Sequence, residues 1–279
     1  MHAQKIRRTI STIFPLLLLV GLTDVARAVD GVVLISQNTA LTGNVTPGDE
    51  PGFPISINQP GSYRLTSNLV VPASLNGIEI KADRVTVDLN GFAIIKAGNV
   101  SGEFAIKALP PAATNNVRVA NGIITGFPNG VYLQVTEGYV DSVQVTQAPD
   151  NSPPEDPRQG NPPLYNIYVL SGAITHSISI AAQPFNSFII AIGCKNNCLI
   201  AGNNIKSGTA GVWVALNALV TGNVITDSWD VALGVEGQVG GNFGVGYKDN
   251  IITPQPGRFA VGIAAVNMGN NVCGTALCP

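Results

Sequence analysis

The stretch Gly211-Val212-Trp213-Val214-Ala215-Leu216-Asn217-Ala218-Leu219-Val220-Thr221-Gly222-Asn223 carries the pattern that decides the fold. Val212 and Val214 alternate with Trp213, a second short apolar run follows at Ala218-Leu219-Val220, and Gly222-Asn223 supplies a turn. Alternation with a period of two marks a strand with one buried face. Glycine and asparagine accept the left-handed backbone that a tight turn demands.

The first strand of this pattern recurs along the chain. It reads Gly77-Ile78-Glu79-Ile80, Gly130-Val131-Tyr132-Leu133, Asn166-Ile167-Tyr168-Val169, Ser187-Phe188-Ile189-Ile190, Asp230-Val231-Ala232-Leu233 and Ala260-Val261-Gly262-Ile263. Second strands follow at Val85–Leu89, Val117–Val119, Val143–Val145 and Ile178–Ile180, and turns at Asn90-Gly91, Asn121-Gly122, Gly202-Asn203-Asn204 and Gly269-Asn270-Asn271. The copies at 166, 187, 211 and 230 are spaced by 21, 24 and 19 residues. That spacing fits one coil of a solenoid, in which equivalent strands pair in parallel with their copies one turn later. Helical stretches of the kind a βαβ fold needs are missing between the strands. The expected fold is therefore all-β, a right-handed parallel β-helix, the hand following from the rule for parallel crossovers. A β-sandwich built from the same short strands is the competing arrangement.

Composition agrees. Charged residues make up 11% of the 279 and hydrophobic residues 45%, the reverse of a disordered chain. The net charge of −2 gives no electrostatic reason to expect nucleic acid as a partner. At the N-terminus, Lys5, Arg7 and Arg8 precede the apolar run Ile13–Leu22, and Ala26-Arg27-Ala28 supplies small residues for cleavage. Residues 1–28 thus read as a signal peptide, which implies a secreted or periplasmic protein with no transmembrane segment in the mature chain. Residues 29–60 are expected to form an N-terminal cap and 61–279 the β-helix, interrupted by the proline-rich insertion 148–163. Export permits disulfides. Cys194, Cys198, Cys273 and Cys278 allow three connectivities, and local pairing is expected because each close pair brackets a turn-like segment. Nothing in the residues points to a cofactor or a metal.

The segment Val85-Thr86-Val87-Asp88-Leu89-Asn90-Gly91-Phe92-Ala93-Ile94 resembles the opening rungs of right-handed parallel β-helix proteins. That group includes pectate-lyase-like enzymes, carbohydrate-binding and sugar-hydrolase modules, and periplasmic NosD-like proteins. The resemblance spans roughly residues 60 to 272. Pro47-Gly48-Asp49 through Gly61-Ser62-Tyr63-Arg64-Leu65 looks like the lead-in of secreted members. The resemblance implies contact with extracytoplasmic carbohydrate. It carries over no catalytic residues, because neither the Asp/Arg/Lys calcium-dependent set of pectate lyases nor the paired aspartates of polygalacturonases is matched.

Two groups of outward side chains follow from alternation. On the first strand, Glu79, Tyr132, Tyr168, Ile189, Trp213 and Ala232 face out, so Tyr132, Tyr168, Ile189 and Trp213 form an apolar column. Aromatic faces in a row suit sugar rings, and Tyr132, Tyr168, Trp213 and Glu79 are the candidate ligand-binding residues for an extended polysaccharide. The same stack would equally stabilise a sheet by cross-strand packing. On the second strand, Asp88, Arg118 and Asp141 are the candidates for acid–base work on a glycosidic bond, or for a surface ion pair. Whether the chain is an enzyme stays open. Binding module, lyase, hydrolase or epimerase on the same face, and non-catalytic structural or adhesive protein are the competing functions. His176, in the turn Thr175-His176-Ser177, reads as a solvated residue.

Overall fold

The computed structural model describes residues 31–98, 103–112, 115–148, 163–182, 188–236, 244–262, 265–274 and 276–278. The expected signal peptide 1–28 and residues 149–162 of the expected proline-rich insertion lie outside them. Residues 31–279 form one compact unit.

The strands wind around three faces. Ile78–Ile80, Phe104–Ala108, Asn129–Leu133 and the first halves of Leu164–Thr175, Ile189–Ala201 and Ala210–Thr221 stack on the first face. Val85–Asp88 and the first halves of Asn115–Thr125 and Thr136–Thr146 stack on the second, with the later halves of the three long strands just named. Ala93–Ala97, Ile178–Ile180, Asn204–Lys206, Val224–Thr226 and Ile251–Thr253 belong to the third. Pairing between successive coils is parallel throughout the described residues; the antiparallel pair is Val272–Cys273 with Ala276–Leu277. This long parallel sheet is consistent with a β-helix solenoid and not with a sandwich of antiparallel strands.

Each face contributes a column of inward side chains in register. The first runs Ile55, Ile78, Ile106, Val131, Ile167, Ile192, Val212, Leu233, every member fully buried. The second runs Tyr63, Val87, Val119, Val140, Ile174, Ile200, Val220, Tyr247, so the two bulkiest buried tyrosines sit toward opposite ends. The third runs Leu69, Ile94, Ile124, Val145, Ser179, Ile205, Ile225, Ile252. Burying each such aliphatic side chain is worth about 1.5–3 kcal/mol relative to leaving it exposed. Ser179 is the polar exception: its hydroxyl donates to Ala191 O at 2.9 Å and accepts from Asn166 Nδ2 at 3.0 Å.

At the corner between the second and third faces one strand ends and the next begins after two residues. His176 (φ 48°), Gly202, Gly222, Asp249 and Asn270 all have left-handed backbone there. The residue after each is Ser177, Asn203, Asn223, Asn250 or Asn271, all buried. Asn203 donates from both N and Nδ2 to Asn223 Oδ1, each at 2.9 Å. Asn223 does the same to Asn250 Oδ1 at 3.0 Å, and Asn250 to Asn271 Oδ1 at 3.0 and 2.9 Å. Each Nδ2 of Asn203, Asn223 and Asn250 also donates to a backbone carbonyl of the preceding coil. This asparagine ladder satisfies polar groups that a buried turn would otherwise leave unpaired.

At the N-terminal side, coil pairing begins upstream of Gly61. Val33–Ile35 pairs with residues 63–65, and Ile55–Ile57 with Ile78–Ile80. The short helix Gln37–Thr42 is capped by Ser36, whose side chain accepts from Thr39 N, and buries Ala40. Gln37 Oε1 accepts from Val70 N at 2.8 Å while its Nε2 donates to Val70 O at 3.3 Å, so one side-chain amide serves the edge strand Leu69–Pro72 as a peptide group would. The cysteines pair locally, Cys194 with Cys198 and Cys273 with Cys278.

Candidate functional site

The outward column of the first face runs Ser56, Glu79, Lys107, Tyr132, Tyr168, Gly193, Trp213, Gly234. Glu79, Tyr132, Tyr168 and Trp213 therefore share one column, as expected. Two expected members do not belong to it. Tyr168 pairs with Gly193, not Ile189, and Trp213 pairs with Gly234, not Ala232; Ile189 and Ala232 are fully buried. The strand turns a corner at 189–191, where consecutive side chains Ile189, Ile190, Ala191 and Ile192 are all buried, so a count by alternation slips there. Two supposed second strands, 143–145 and 178–180, also prove to lie on the third face, because their chains continue past Ser142 and His176 in left-handed conformation.

Around the column the rings touch in two groups, Phe104, Tyr132, Tyr165 and Tyr168 in one and Phe188 with Trp213 in the other. Tyr132 stacks on Tyr168 at 4.6 Å between centroids with planes 16° apart. Tyr165 leans on both at 5.8 and 4.7 Å, and Phe104 meets Tyr132 edge-on at 5.3 Å. Tyr165 covers the position a Cβ would take on Gly193, and Trp213, edge-on to Phe188 at 5.8 Å, does the same over Gly234. Trp213, Tyr165 and Phe188 pack on an outer apolar cluster of Ile190, Ala210 and Val231, separate from the main core. Tyr168 is 8% exposed, while Tyr132, Tyr165 and Trp213 are half-buried. Between Tyr132, Tyr168 and Trp213 opens a groove of about 210 Å³ with Gln134, Lys195 and Glu236 at its polar margin. Tyr165 escaped the sequence reading, which began its strand at Asn166, and Phe188, which alternation placed inward, instead flanks the outer column.

Burial pushes the Tyr168 and Tyr165 hydroxyls well above the usual tyrosine range, helped by the neighbouring tyrosines and Glu236. Farther along the column Glu79 bridges Lys107 at 3.0 Å and Lys81 at 3.3 Å and accepts from Asn76 Nδ2 at 2.9 Å. Burial works to raise its carboxyl, but Asn76, Lys107 and Lys81 together hold it below the ordinary carboxylate value.

The second-face candidates separate into two ion pairs. Asp88 and Asp141 share an outward column with Ala120 between them, about 10 Å apart by strand spacing. Arg118 stands in the adjoining column, Thr86–Arg118–Tyr139–Ala173. Arg64 pairs with Asp88 at 3.0 Å and Arg118 with Asp141 at 3.2 Å. Asp141 Oδ1 also accepts from Thr175 Oγ1 at 2.7 Å and lies 3.1 Å from His176 Nδ1, a contact the sequence did not suggest. Thr175 foremost, against opposing burial, then His176 and Arg118, hold the Asp141 carboxyl low; for Asp88, burial is outweighed by Asn121, the Asn90 amide and Arg64. Both carboxylates are thus ionised at neutral pH, whereas a general acid needs a raised pKa. Among the described residues no three His, Cys, Asp or Glu side chains gather to hold a metal, and no helix is long and apolar enough to cross a membrane.

Comparison with protein families, curated proteins and solved structures finds no match for the chain.

Proposed function

We propose that the chain is an exported, right-handed β-helix that binds an extended polysaccharide along its first face without cleaving it. The observation that carries this reading is the stacked pair Tyr132–Tyr168, continued by Trp213 in one column beside a groove with polar margins. The partly exposed rings of Tyr132, Tyr165 and Trp213 wall a groove whose exposed lining is mainly polar, so Gln134, Lys195 and Glu236 meet hydroxyls there. The two local disulfides fit an oxidising, extracytoplasmic setting. Residues 29–60 serve as the N-terminal cap, a reading supported by the Gln37 amide on the edge strand. The low-held carboxylates of Asp88 and Asp141 do not favour hydrolysis.

A structural or adhesive role is the second reading, favoured by the burial of Tyr168 among Tyr132 and Tyr165. A glycan array probed with the mature protein, Trp213→Ala and Tyr132→Ala separates the two. Retention of at least one polysaccharide by the parent, weakened about tenfold or more in the folded variants, supports binding. Equal retention by all three proteins, or none by any, leaves the structural role.

A further inference from the structure

We infer that the second face holds a separate site that takes a single neutral sugar ring, stacked on Tyr139 and gripped by Arg118 and Asp141 through adjacent hydroxyls. It does not rest on the first-face reading, since no residue is shared. A groove of about 450 Å³ opens here, lined by Thr86, Arg118, Tyr139, Asp141 and Thr175 among others. Its shape comes from the register. Thr86, Arg118, Tyr139 and Ala173 are successive members of one outward column, and Asp88, Ala120, Asp141 and Thr175 of the next. The small side chain of Ala173 follows the long ones of Arg118 and Tyr139 in the column, which leaves a depression. Tyr139 is 39% exposed and offers a face for stacking.

The polar wall has the chemistry of a diol clamp. Arg118 gives Asp141 one nitrogen, Nη2, and its side chain is half exposed. A guanidinium supplies only donors and a carboxylate only acceptors. Side by side they complement two neighbouring hydroxyls, each of which both donates and accepts. Thr175 and His176 hold Asp141 in place before any ligand arrives, which reduces the ordering cost of binding. The charges of Arg118 and Asp141 offset each other, so a neutral ring is the fitting occupant.

The test is saturation-transfer NMR on the mature protein with the methyl glycosides of glucose, galactose and mannose. At least one should show transfer to its ring protons, with affinity unchanged in Trp213→Ala and within about twofold in Tyr139→Phe. Tyr139→Ala and Arg118→Met should weaken it about tenfold or more, as should Thr86→Trp, which fills the groove and removes no contact. Absence of transfer from all three glycosides, or wild-type affinity in Tyr139→Ala and Thr86→Trp, overturns the proposal. Loss in Trp213→Ala alone assigns the binding to the first face and overturns this site while leaving the polysaccharide reading intact.

Discussion

Trp213 lies against Gly234 of the next coil so closely that a Cβ on Gly234 would fall 2.2 Å from Trp213 Cε3. The glycine is therefore a condition for the orientation of the ring. Gly234→Ala should displace Trp213 and cost about 1–3 kcal/mol, as overpacking does. The cost should shrink in the Trp213→Ala/Gly234→Ala double variant, giving a coupling of about 1 kcal/mol or more in a double-mutant cycle read by chemical denaturation. Additive costs would show that the ring and the glycine do not constrain each other.

The asparagine ladder predicts a sharp contrast between two turn asparagines. Asn223 accepts from Asn203 and donates onward while buried, whereas Asn217 makes an exposed bond to Asn197 Oδ1 at 3.2 Å. Asn223→Ala strands buried donors and carbonyls on neighbouring coils and should cost about 2–4 kcal/mol. Asn217→Ala loses only an exposed bond and adds the strain of alanine at φ 52°, and should cost about 1 kcal/mol. Similar denaturation midpoints for the two variants would contradict a stabilising ladder.

Acid stability follows from Glu79, Asp88 and Asp141, all held below their ordinary values. A carboxyl lowered by folding stabilises the protein above its unfolded pKa and loses that contribution as the pH falls through the folded one. Urea midpoints should be flat from pH 7 to about 5 and decline below about 4. Asp141→Asn should start lower and decline less. A parallel decline in the variant would remove Asp141 from the account.

At alkaline pH the tyrosines give the opposite sign. Tyr165 and Tyr168 keep their protons in the folded state beyond the pH at which the unfolded chain releases them. Stability should therefore fall as pH rises above about 10. Ultraviolet absorbance of tyrosinate should show these two titrating only with unfolding, which circular dichroism follows in parallel. Full titration of all six tyrosines in a folded protein would refute the burial of the cluster.

Much of this was legible in the sequence, for reasons visible residue by residue. Ile78, Val131, Ile167 and Val212 announce a shared inward column because a period of two has only two phases, and the structure stacks them as expected. Asn203, Asn223 and Asn271 announce turns through the glycine or asparagine beside them. The corners were illegible. His176 and Ser142 adopt left-handed backbone without being glycine, so the chain passes to the third face with no glycine to mark the corner. At the entry to the first face, the consecutive buried residues 189–192 and 231–233 shift the phase, and that shift hid Gly193 and Gly234 as members of the aromatic column. The His176–Asp141 contact was hidden too, because it joins residues 35 apart through coil stacking.

A polysaccharide bound along the first face would lie on Trp213. Trp229→Phe leaves Trp213 as the sole tryptophan of the chain. Titration of that protein with a polysaccharide retained on the array should shift or quench Trp213 emission saturably, with a midpoint matching the binding constant found independently. Saturable binding that leaves the emission unchanged would place the ligand elsewhere and contradict the claim.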